Sequence, residues 1–528
     1  MSRPVTPPEH PPTADRPGLA PRGGTGPEVV TTGGTVLGRS VNGVDVFRGI
    51  PFAQPPCGSA RFAPPLALQP WEGVLDAGRF GPVAPQNPSM LEQMLGGDEA
   101  TWSEDCLHLN VFTPACDDGA RPVMVWIHGG AFLTGTGSIP WYDGSNLARR
   151  GAVIVSVNYR LGVFGFLHLD DLGAGFEGSG NVGLLDQVAA LEWVRDNVAG
   201  FGGDPANVTV FGESAGAMSI GTLMGVPAAR GLFHRAILQS GAGAHVHEAD
   251  TATKMAEGFL AEVGVDAADL GRLRELPVAE LLEAQRRLVQ GVPFEQGLPL
   301  QPVVDGRVLP ERPTAAVAAG SAGGVDVLIG TTLEEMKMFL VLDPAAGQVD
   351  EDTVRTRSDA IFVPKGKAAG EALATYRHAR PGDPAVEVLS AMLTDRTFRI
   401  PAIRFAEAQL GHHDAVWMYL FAYRSPAFGG ALGACHALEV PFVWDNLDAR
   451  GADVFAGPAT DATRELARQM ADAWVSFART GVPAADGLPE WRRYDTDRRA
   501  TLWLDPGSVE VVEDPMGDER RLWQGSDS

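Results

Sequence analysis

Buried apolar runs alternate with amphipathic segments from about residue 121 onward, and this alternation is the strongest constraint on the fold. Unbroken runs rich in β-branched residues are typical of strands that are covered on both faces, as in parallel sheets. Between the second and third runs, and again over 466–477, apolar residues recur at helical spacing. Strands that alternate with helices predict an α/β protein with a large, mostly parallel sheet. The predicted strands are 123–127, 153–157, 208–211, 236–238 and 327–329.

The first 28 residues differ in composition from the rest of the chain. They are rich in proline and glycine and lack the apolar core of a secretion signal. Because so few apolar groups cannot offset the entropy lost on ordering, we expect a disordered tail over 1–28. The remainder shows no internal repeat and no linker, and the stretches 250–300 and 340–410 resemble helical insertions over one end of the sheet. The sequence therefore predicts a single domain over 29–528.

Charge and cysteine content exclude several classes of protein. The 66 acidic residues outnumber the 42 basic ones, and the net charge of −24 repels phosphate backbones. No window approaches 18 consecutive apolar residues, so no transmembrane helix is expected. The four cysteines show no C-x-x-C spacing, which argues against a disulfide framework or a zinc site. We expect a cytoplasmic protein with neither a nucleic acid nor a membrane as partner.

A G-x-S-x-G motif, centred on Ser214, follows the predicted strand 208–211 and precedes a helix-compatible run. Where a strand turns sharply into a helix, such a serine is held on a tight bend with its hydroxyl exposed above the sheet. The helix N-terminus then lies beneath it. This context favours a nucleophile over a glycine-rich turn with an incidental serine.

A second glycine-rich segment, His128-Gly-Gly-Ala-Phe132, follows the predicted strand 123–127. Acyl transfer passes through a tetrahedral oxyanion, which is stabilised by preorganised N–H donors. Small residues let the backbone approach closely enough to supply them. Because the donors are backbone amides, Ala131 serves this purpose as well as a glycine does.

A serine nucleophile needs a base and an orienting acid, which follow it along the chain in hydrolases of this type. His436 lies in a glycine-rich loop that leads into an apolar run, which makes it the best candidate base. The adjacent carboxylates Glu334 and Glu335 follow the predicted strand 327–329. Spacing alone leaves open which of the two is the acid. The pair His245 and His247 lacks a third ligand at suitable spacing, so neither a metal nor another cofactor is expected.

The chain resembles the type-B carboxylesterases, a family that also contains the cholinesterases. Within this family it is most similar to the bacterial para-nitrobenzyl-esterase-like branch. The resemblance runs from about residue 29 to the C-terminus. It is carried by the collinear segments FRGIPFAQPP, SEDCLHLNVF, VMVWIHGGAF, VNYRLGVFGFL, GNVGLLDQVAALEWVRDNVAGFGGDPANVTVFGESAGA, AILQSG, PVVDGRVLP, LIGTTLEE and HALEVPFVW.

The resemblance implies an α/β-hydrolase fold and assigns the site residue by residue. Ser214 corresponds to the nucleophile, His436 to the base and Glu335, the second of the carboxylate pair, to the acid. The oxyanion donors are implied to be the amides of Gly130, Ala131 and Ala215.

Other correspondences concern structure rather than chemistry. The family implies buried ion pairs between Arg61 and Glu104 and between Arg160 and Asp204. In secreted members Cys106 pairs with an upstream cysteine, but here Ala84 stands in that place, so the bridge cannot form.

The resemblance therefore implies a serine carboxylesterase that hydrolyses small-molecule esters through an acyl-enzyme intermediate, without cofactor. A monomer or weak homo-oligomer is expected. One alternative is a hydrolase of amides, carbamates or thioesters with the same three residues, because the pocket rather than the triad sets the substrate. A remote alternative is a non-catalytic binding module on the same fold.

Overall fold

The computed structural model describes residue 18 and residues 25–89, 101–290, 297–343 and 345–524. The strands within these ranges are β1 (Glu28–Thr31), β2 (Gly34–Leu37), β3 (Arg39–Val41), β4 (Val44–Pro51), β5 (Val74–Asp76), β6 (His108–Thr113), β7 (Arg121–Ile127), β8 (Val153–Val157), β9 (Gly203–Glu213), β10 (Arg235–Gln239), β11 (His247–Glu248), β12 (Val303–Val304), β13 (Asp326–Thr332), β14 (Val416–Phe421), β15 (Ala500–Asp505) and β16 (Ser508–Glu513).

Eleven of the described strands form one central sheet, in the spatial order β16-β15-β14-β13-β10-β9-β7-β8-β6-β4-β3. The neighbouring strands from β15 to β8 are all parallel, and the strands outside them pair antiparallel. The mostly parallel sheet is therefore confirmed, and its five predicted strands lie within β7, β8, β9, β10 and β13. β14, a fully buried strand between β13 and β15, was not predicted, because a short apolar run does not distinguish a strand from a buried helix.

The described α-helices are α1 (Ser145–Arg149), α2 (Gly162–Phe166), α3 (Val182–Asn197), α4 (Ala215–Leu223), α5 (Ala249–Val263), α6 (Val278–Val289), α7 (Pro313–Ala318), α8 (Lys337–Leu342), α9 (Glu351–Phe362), α10 (Glu371–Ala379), α11 (Ala385–Thr394), α12 (Ile400–Leu410), α13 (Val440–Val443), α14 (Ala452–Ala456), α15 (Asp461–Thr480) and α16 (Gly517–Leu522). The described parts of the stretches 250–300 and 340–410 are mostly helical, as predicted.

The helix predicted over 466–477 is α15, and its ends show why it forms there. The Thr460 hydroxyl accepts a hydrogen bond from the Thr463 amide at the start. At the end, Gly481 adopts a left-handed conformation (φ 78°) and its amide bonds to the Phe477 carbonyl.

Side chains of the central strands alternate between two hydrophobic cores, one on each face of the sheet. On β7, Val123, Val125 and Ile127 belong to one core, whereas Met124 and Trp126 belong to the other. Because both faces are covered by helices, neither set can be polar, and this explains the unbroken apolar runs of the sequence.

The boundary of the predicted tail falls close to the first strand. β1 begins at Glu28, the last residue assigned to the tail, and most of residues 1–24 lie outside the described residues. No described helix has both the length and the apolar character required to cross a membrane.

The two expected ion pairs have different outcomes. Arg61 pairs with both oxygens of Glu104, at 2.6 and 2.8 Å. Arg160 pairs not with Asp204 but with the fully buried Asp186 on α3, through two bonds of 2.7 Å. The expected Arg160–Asp204 pair is therefore wrong. The reason is topological: Arg160 follows the carboxyl end of β8, whereas Asp204 lies at the amino end of β9, and parallel strands place these ends at opposite edges of the sheet.

The four cysteines are free, and Ala84, which stands where secreted relatives were expected to have the partner of Cys106, is buried.

The Arg160–Asp186 pair generates a stability prediction. Asp186→Ala leaves a buried guanidinium without its counter-charge, so we expect the free energy of unfolding to fall by about 3–5 kcal/mol. Asp204→Ala removes a single hydrogen bond to the Ala206 amide and should cost about 1 kcal/mol. Urea denaturation of the two variants measures both values, and an equal loss in the two would contradict the assignment of Asp186.

Candidate active site

The residues predicted for catalysis come together at the carboxyl edge of the central sheet. Ser214 directly follows β9, Glu335 lies in the turn after β13, and His436 lies in the long connection between β14 and α13. Loops at this edge converge because the carboxyl ends of parallel strands face the same way.

Ser214 occupies a strained turn between β9 and α4, with φ 56° and ψ −124°. Its amide donates to the Gln239 carbonyl at 2.9 Å, and its carbonyl accepts from the Met218 amide at 2.8 Å. A Cβ atom at Gly216 would collide with the Ile127 carbonyl oxygen of β7. Glycine is therefore required there, because the turn brings α4 directly against the neighbouring strand.

The glycine-rich loop after β7 lies against Ser214. A Cβ atom at Gly129 would lie 3.1 Å from Ser214 Cβ, and one at Gly130 (φ 108°) would collide with the Thr134 carbonyl. The amides of Gly130 and Ala131 donate to no acceptor among the described residues. Ala215 is the first residue of α4, where an amide has no acceptor within the helix. Three N–H groups are thus available close to the serine.

Glu335 and His436 are joined by a short hydrogen bond, 2.6 Å between Oε2 and Nδ1, and both side chains are buried. The other carboxylate oxygen of Glu335 accepts from the Thr332 amide at 2.8 Å. Glu334 makes no contact with the imidazole but bonds to the Ala434 amide at 2.9 Å. The geometry thus separates two carboxylates that spacing along the chain could not distinguish.

The second ring nitrogen of His436 contacts a residue that the sequence analysis missed. Nε2 lies 3.1 Å from Oε1 of Glu213, and no hydrogen bond to Ser214 Oγ is present in the part of the chain that the structure describes. Glu213 is buried and is the residue before Ser214, the variable position of the motif. An acidic side chain at the buried end of a strand was the available signal.

A cavity of about 270 Å³ contains Ser214, His436 and the glycine-rich loop. Leu298 reaches it from the stretch 250–300, Phe339 from α8, and Ser89 also lines it, whereas residues 90–100 lie outside the described residues. No lysine or arginine lines it in the described ranges. The remaining large apolar lining residues are Leu133, Ile139, Trp141, Tyr142, Met218 and Val440.

Comparison with known proteins agrees with this geometry. The family model described as the carboxylesterase family matches residues 25–523. The para-nitrobenzyl esterase of Bacillus subtilis (strain 168) is 42% identical over 501 residues, which cover 94% of this chain and 98% of that protein. The phenmedipham hydrolase of Pseudarthrobacter oxydans is 37% identical over 497 residues, covering 93% and 97%. A crystal structure of a Geobacillus stearothermophilus carboxylesterase at pH 6.2 has a TM-score of 0.85 at 42% identity, covering 94% of this chain and 100% of that chain.

The chain belongs to the carboxylesterase family. The carboxylesterase has the α/β-hydrolase fold of its structural neighbours, and it is a carboxylic ester hydrolase of the serine class. The resemblance to the bacterial para-nitrobenzyl esterases is confirmed.

His245 and His247 of the carboxylesterase differ in their surroundings. In His247, Nε2 contacts the Pro299 carbonyl at 3.3 Å and Nδ1 contacts the Gln301 side chain at 3.1 Å. Burial lowers the pKa of His245 to about 4. Among the described residues, no three His, Cys, Asp or Glu side chains are grouped as metal ligands would be.

Electrostatics at the carboxylesterase site favour a positively charged imidazole. Burial alone would lower the pKa of His436, but the carboxylates of Glu213 and Glu335 outweigh it and raise this pKa to about 9. Burial and the nearby Glu335 in turn raise the pKa of Glu213, although the positive charge of His436 opposes this. Burial and the nearby Glu213 also raise the pKa of Glu439. The Glu439 carboxylate accepts a hydrogen bond from the Gln239 side chain at 3.2 Å.

This arrangement predicts how the imidazole titrates. With a pKa near 9, His436 is protonated at pH 7 and loses its proton as the pH rises through that value. Glu213→Gln removes the carboxylate next to Nε2, so we expect the pKa of His436 to fall by about one unit or more. NMR titration of ¹³C-labelled histidine measures the shift. The exposed Glu280→Gln is the control, and an unchanged or raised pKa in Glu213→Gln would refute the Glu213 contact.

Proposed function

We propose that this carboxylesterase cleaves its ester with Ser214 as nucleophile, His436 as general base and Glu335 as the acid that orients the base. The observation that carries the assignment is the 2.6 Å hydrogen bond between Glu335 and His436, made at the wall of the cavity that also contains Ser214. An acid hydrogen-bonded to one ring nitrogen holds the imidazole in the tautomer whose other nitrogen accepts a proton.

Proton transfer requires a neutral imidazole with Nε2 directed at the serine. We infer that His436 first releases its Nε2 proton to solvent and then turns Nε2 from Glu213 Oε1 to Ser214 Oγ, while the Glu335 hydrogen bond to Nδ1 persists. Glu213, Ser214 and His436 all line the same cavity, which supports this exchange of partners. Glu213 thus holds a resting state of the base.

The chemistry then proceeds in two steps. Nε2 takes the hydroxyl proton as Ser214 Oγ attacks the ester carbonyl, and His436 afterwards donates that proton to the departing alcohol. Water repeats the cycle on the acyl-enzyme and releases the acid. The developing oxyanion is placed to accept from the amides of Gly130, Ala131 and Ala215, and each such donor stabilises the transition state by about 3–4 kcal/mol.

The lining of the cavity supports neutral, apolar esters as substrates. Its large side chains are aliphatic or aromatic, and in the described ranges it holds the carboxylate of Glu213 but no lysine or arginine. A negatively charged acyl group would lose its hydration there and lie near the carboxylate of Glu213, with no lysine or arginine among the described lining residues to offset either cost.

The same proposal includes a single domain over 29–528 preceded by a tail over 1–28, a cytoplasmic location, and a monomer or weak homo-oligomer. The continuity of the central sheet from β3 to β16 supports the single domain. The buried, unpaired thiol of Cys106 supports a reducing compartment.

The role of Ser214 is tested directly by substitution. Ser214→Ala removes the attacking oxygen, so we expect turnover of para-nitrophenyl butyrate to fall by at least about 10⁴-fold with an unchanged circular dichroism spectrum. Ser219→Ala, in the same helix but outside the cavity, should retain turnover. If Ser214→Ala retained wild-type activity, another nucleophile would have to act.

The substrate class is tested with two esters of similar length. We expect kcat/KM for para-nitrophenyl valerate to exceed that for para-nitrophenyl hemisuccinate by at least about tenfold, or 1.4 kcal/mol, because only the latter brings a carboxylate into the cavity. Steady-state kinetics on the wild-type enzyme at one pH provide the comparison. Equal values would contradict an apolar substrate class.

A further inference from the structure

The carboxylate that does not contact His436 makes an unusual two-point contact with the loop that carries it. The Glu334 amide donates to the Ala434 carbonyl at 2.9 Å, and Glu334 Oε2 accepts from the Ala434 amide, also at 2.9 Å. The backbone amide and the side chain of Glu334 therefore bind both the carbonyl and the amide of Ala434. Glu334 directly precedes Glu335, and Ala434 lies two residues before His436, so this contact joins the two loops beside the 2.6 Å hydrogen bond between them.

The charge of Glu334 is balanced by two cations. Lys337 Nζ lies 3.0 Å from its Oε1, and Arg424 Nε lies 2.9 Å from its Oε2. Burial alone would raise the pKa of Glu334, but hydrogen bonds from Arg424, Ala434 and Lys337 outweigh burial and lower it. The carboxylate is thus held in the charged form, which is the stronger acceptor for the Ala434 amide. Lys337 Nζ also lies 3.1 Å from Oε2 of Glu387. Lys337 therefore has two acidic partners, Glu334 and Glu387, whose substitutions can be compared.

The backbone beside Ala434 leaves space for this carboxylate. Gly433 has φ 54°, and a Cβ atom there would collide with Glu334 Oε2 and lie 2.8 Å from Lys337 Cδ. Any larger residue at 433 would displace the Glu334 carboxylate from the Ala434 amide. Residues on both loops are therefore adapted to the same contact.

We propose that Glu334 is a positioning residue, which holds the loop of His436 in register with the loop of Glu335 so that Oε2 of Glu335 meets Nδ1 of His436. The inference deepens the proposed function and rests on it. A hydrogen bond of this length tolerates little displacement, and the two groups it joins are 101 residues apart in the chain. Glu334 acts on the reaction only through this alignment and does not contact the reacting atoms.

Glu334→Ala tests the proposal, with Glu387→Ala as the matched control that removes the other acidic partner of Lys337. In Glu334→Ala we expect kcat for a neutral para-nitrophenyl ester to fall about 10- to 100-fold, because small misalignments of catalytic groups cost factors of this size. KM should stay within about twofold, since the apolar walls of the cavity are unchanged. In Glu387→Ala both constants should stay within about twofold of wild type.

A spectroscopic signature separates alignment from general loosening of the fold. The proton between Glu335 and His436 should give a low-field ¹H resonance in the wild type and in Glu387→Ala, and it should be lost or shifted upfield in Glu334→Ala. If Glu334→Ala does not fold, Gly433→Ala displaces the same carboxylate from the other side and should give the same kinetic and spectroscopic changes.

The proposal is overturned if a folded Glu334→Ala or Gly433→Ala enzyme keeps the wild-type kcat and resonance. It is also overturned if only KM changes, or if Glu387→Ala loses as much activity as Glu334→Ala. Failure of the proposed function is recognised separately, because it would appear as retained turnover in Ser214→Ala. The low-field resonance of the variants would still report on the contact between the two loops.

Discussion

The hydrogen bond between Glu335 and His436 depends on four adjacent parallel strands, β9, β10, β13 and β14, that end at the same edge of the sheet. Each of these strands ends in a run of buried residues, so the positions of their carboxyl ends are determined by packing in two hydrophobic cores. The loops that follow can then carry polar groups without having to fold independently. This explains why a rigid apolar scaffold supports a site whose members come from distant parts of the chain.

The imidazole of His436 lies between the carboxylates of Glu335 and Glu213, and both stabilise its positive charge. Glu335 orients the ring, and in the mechanism proposed here its charge also stabilises the positive charge that His436 acquires during proton transfer. Glu213 adds a second attraction at Nε2 that stabilises the same positive charge before the reaction starts. If His436 is the base, as proposed, the contact with Glu213 raises the pH at which the base is free, because a protonated imidazole cannot accept the serine proton.

Much of the candidate site was predictable from local sequence. The motif around Ser214 follows a strand and requires glycine at 216 for steric reasons that hold in any structure of this topology, and the glycine-rich loop at 129–131 follows from the same argument. The roles of Glu213 and Glu334 were not predictable in this way. Both depend on which atoms of a neighbouring loop each carboxylate reaches, and chain spacing contains no information on that distance. The choice of Asp204 as the partner of Arg160 failed for the same reason, since Asp186 meets Arg160 only after α3 has packed on the sheet.

The sequence by itself determined the class of fold, five strands of the central sheet, and the turn that presents Ser214. These follow from periodicity and from the steric limits of glycine, which act over a few residues. Spacing left Glu334 and Glu335 open and the family resemblance favoured Glu335. Only the tertiary structure shows the contact of Glu335 with His436, the contact of Glu213 with the other ring nitrogen, and the bridge that Glu334 makes between the two loops. The hydrogen bonds of 2.6 and 2.9 Å and the 3.1 Å contact between His436 and Glu213 are set by how loops pack at the sheet edge, and that packing is the sum of contacts over the whole chain.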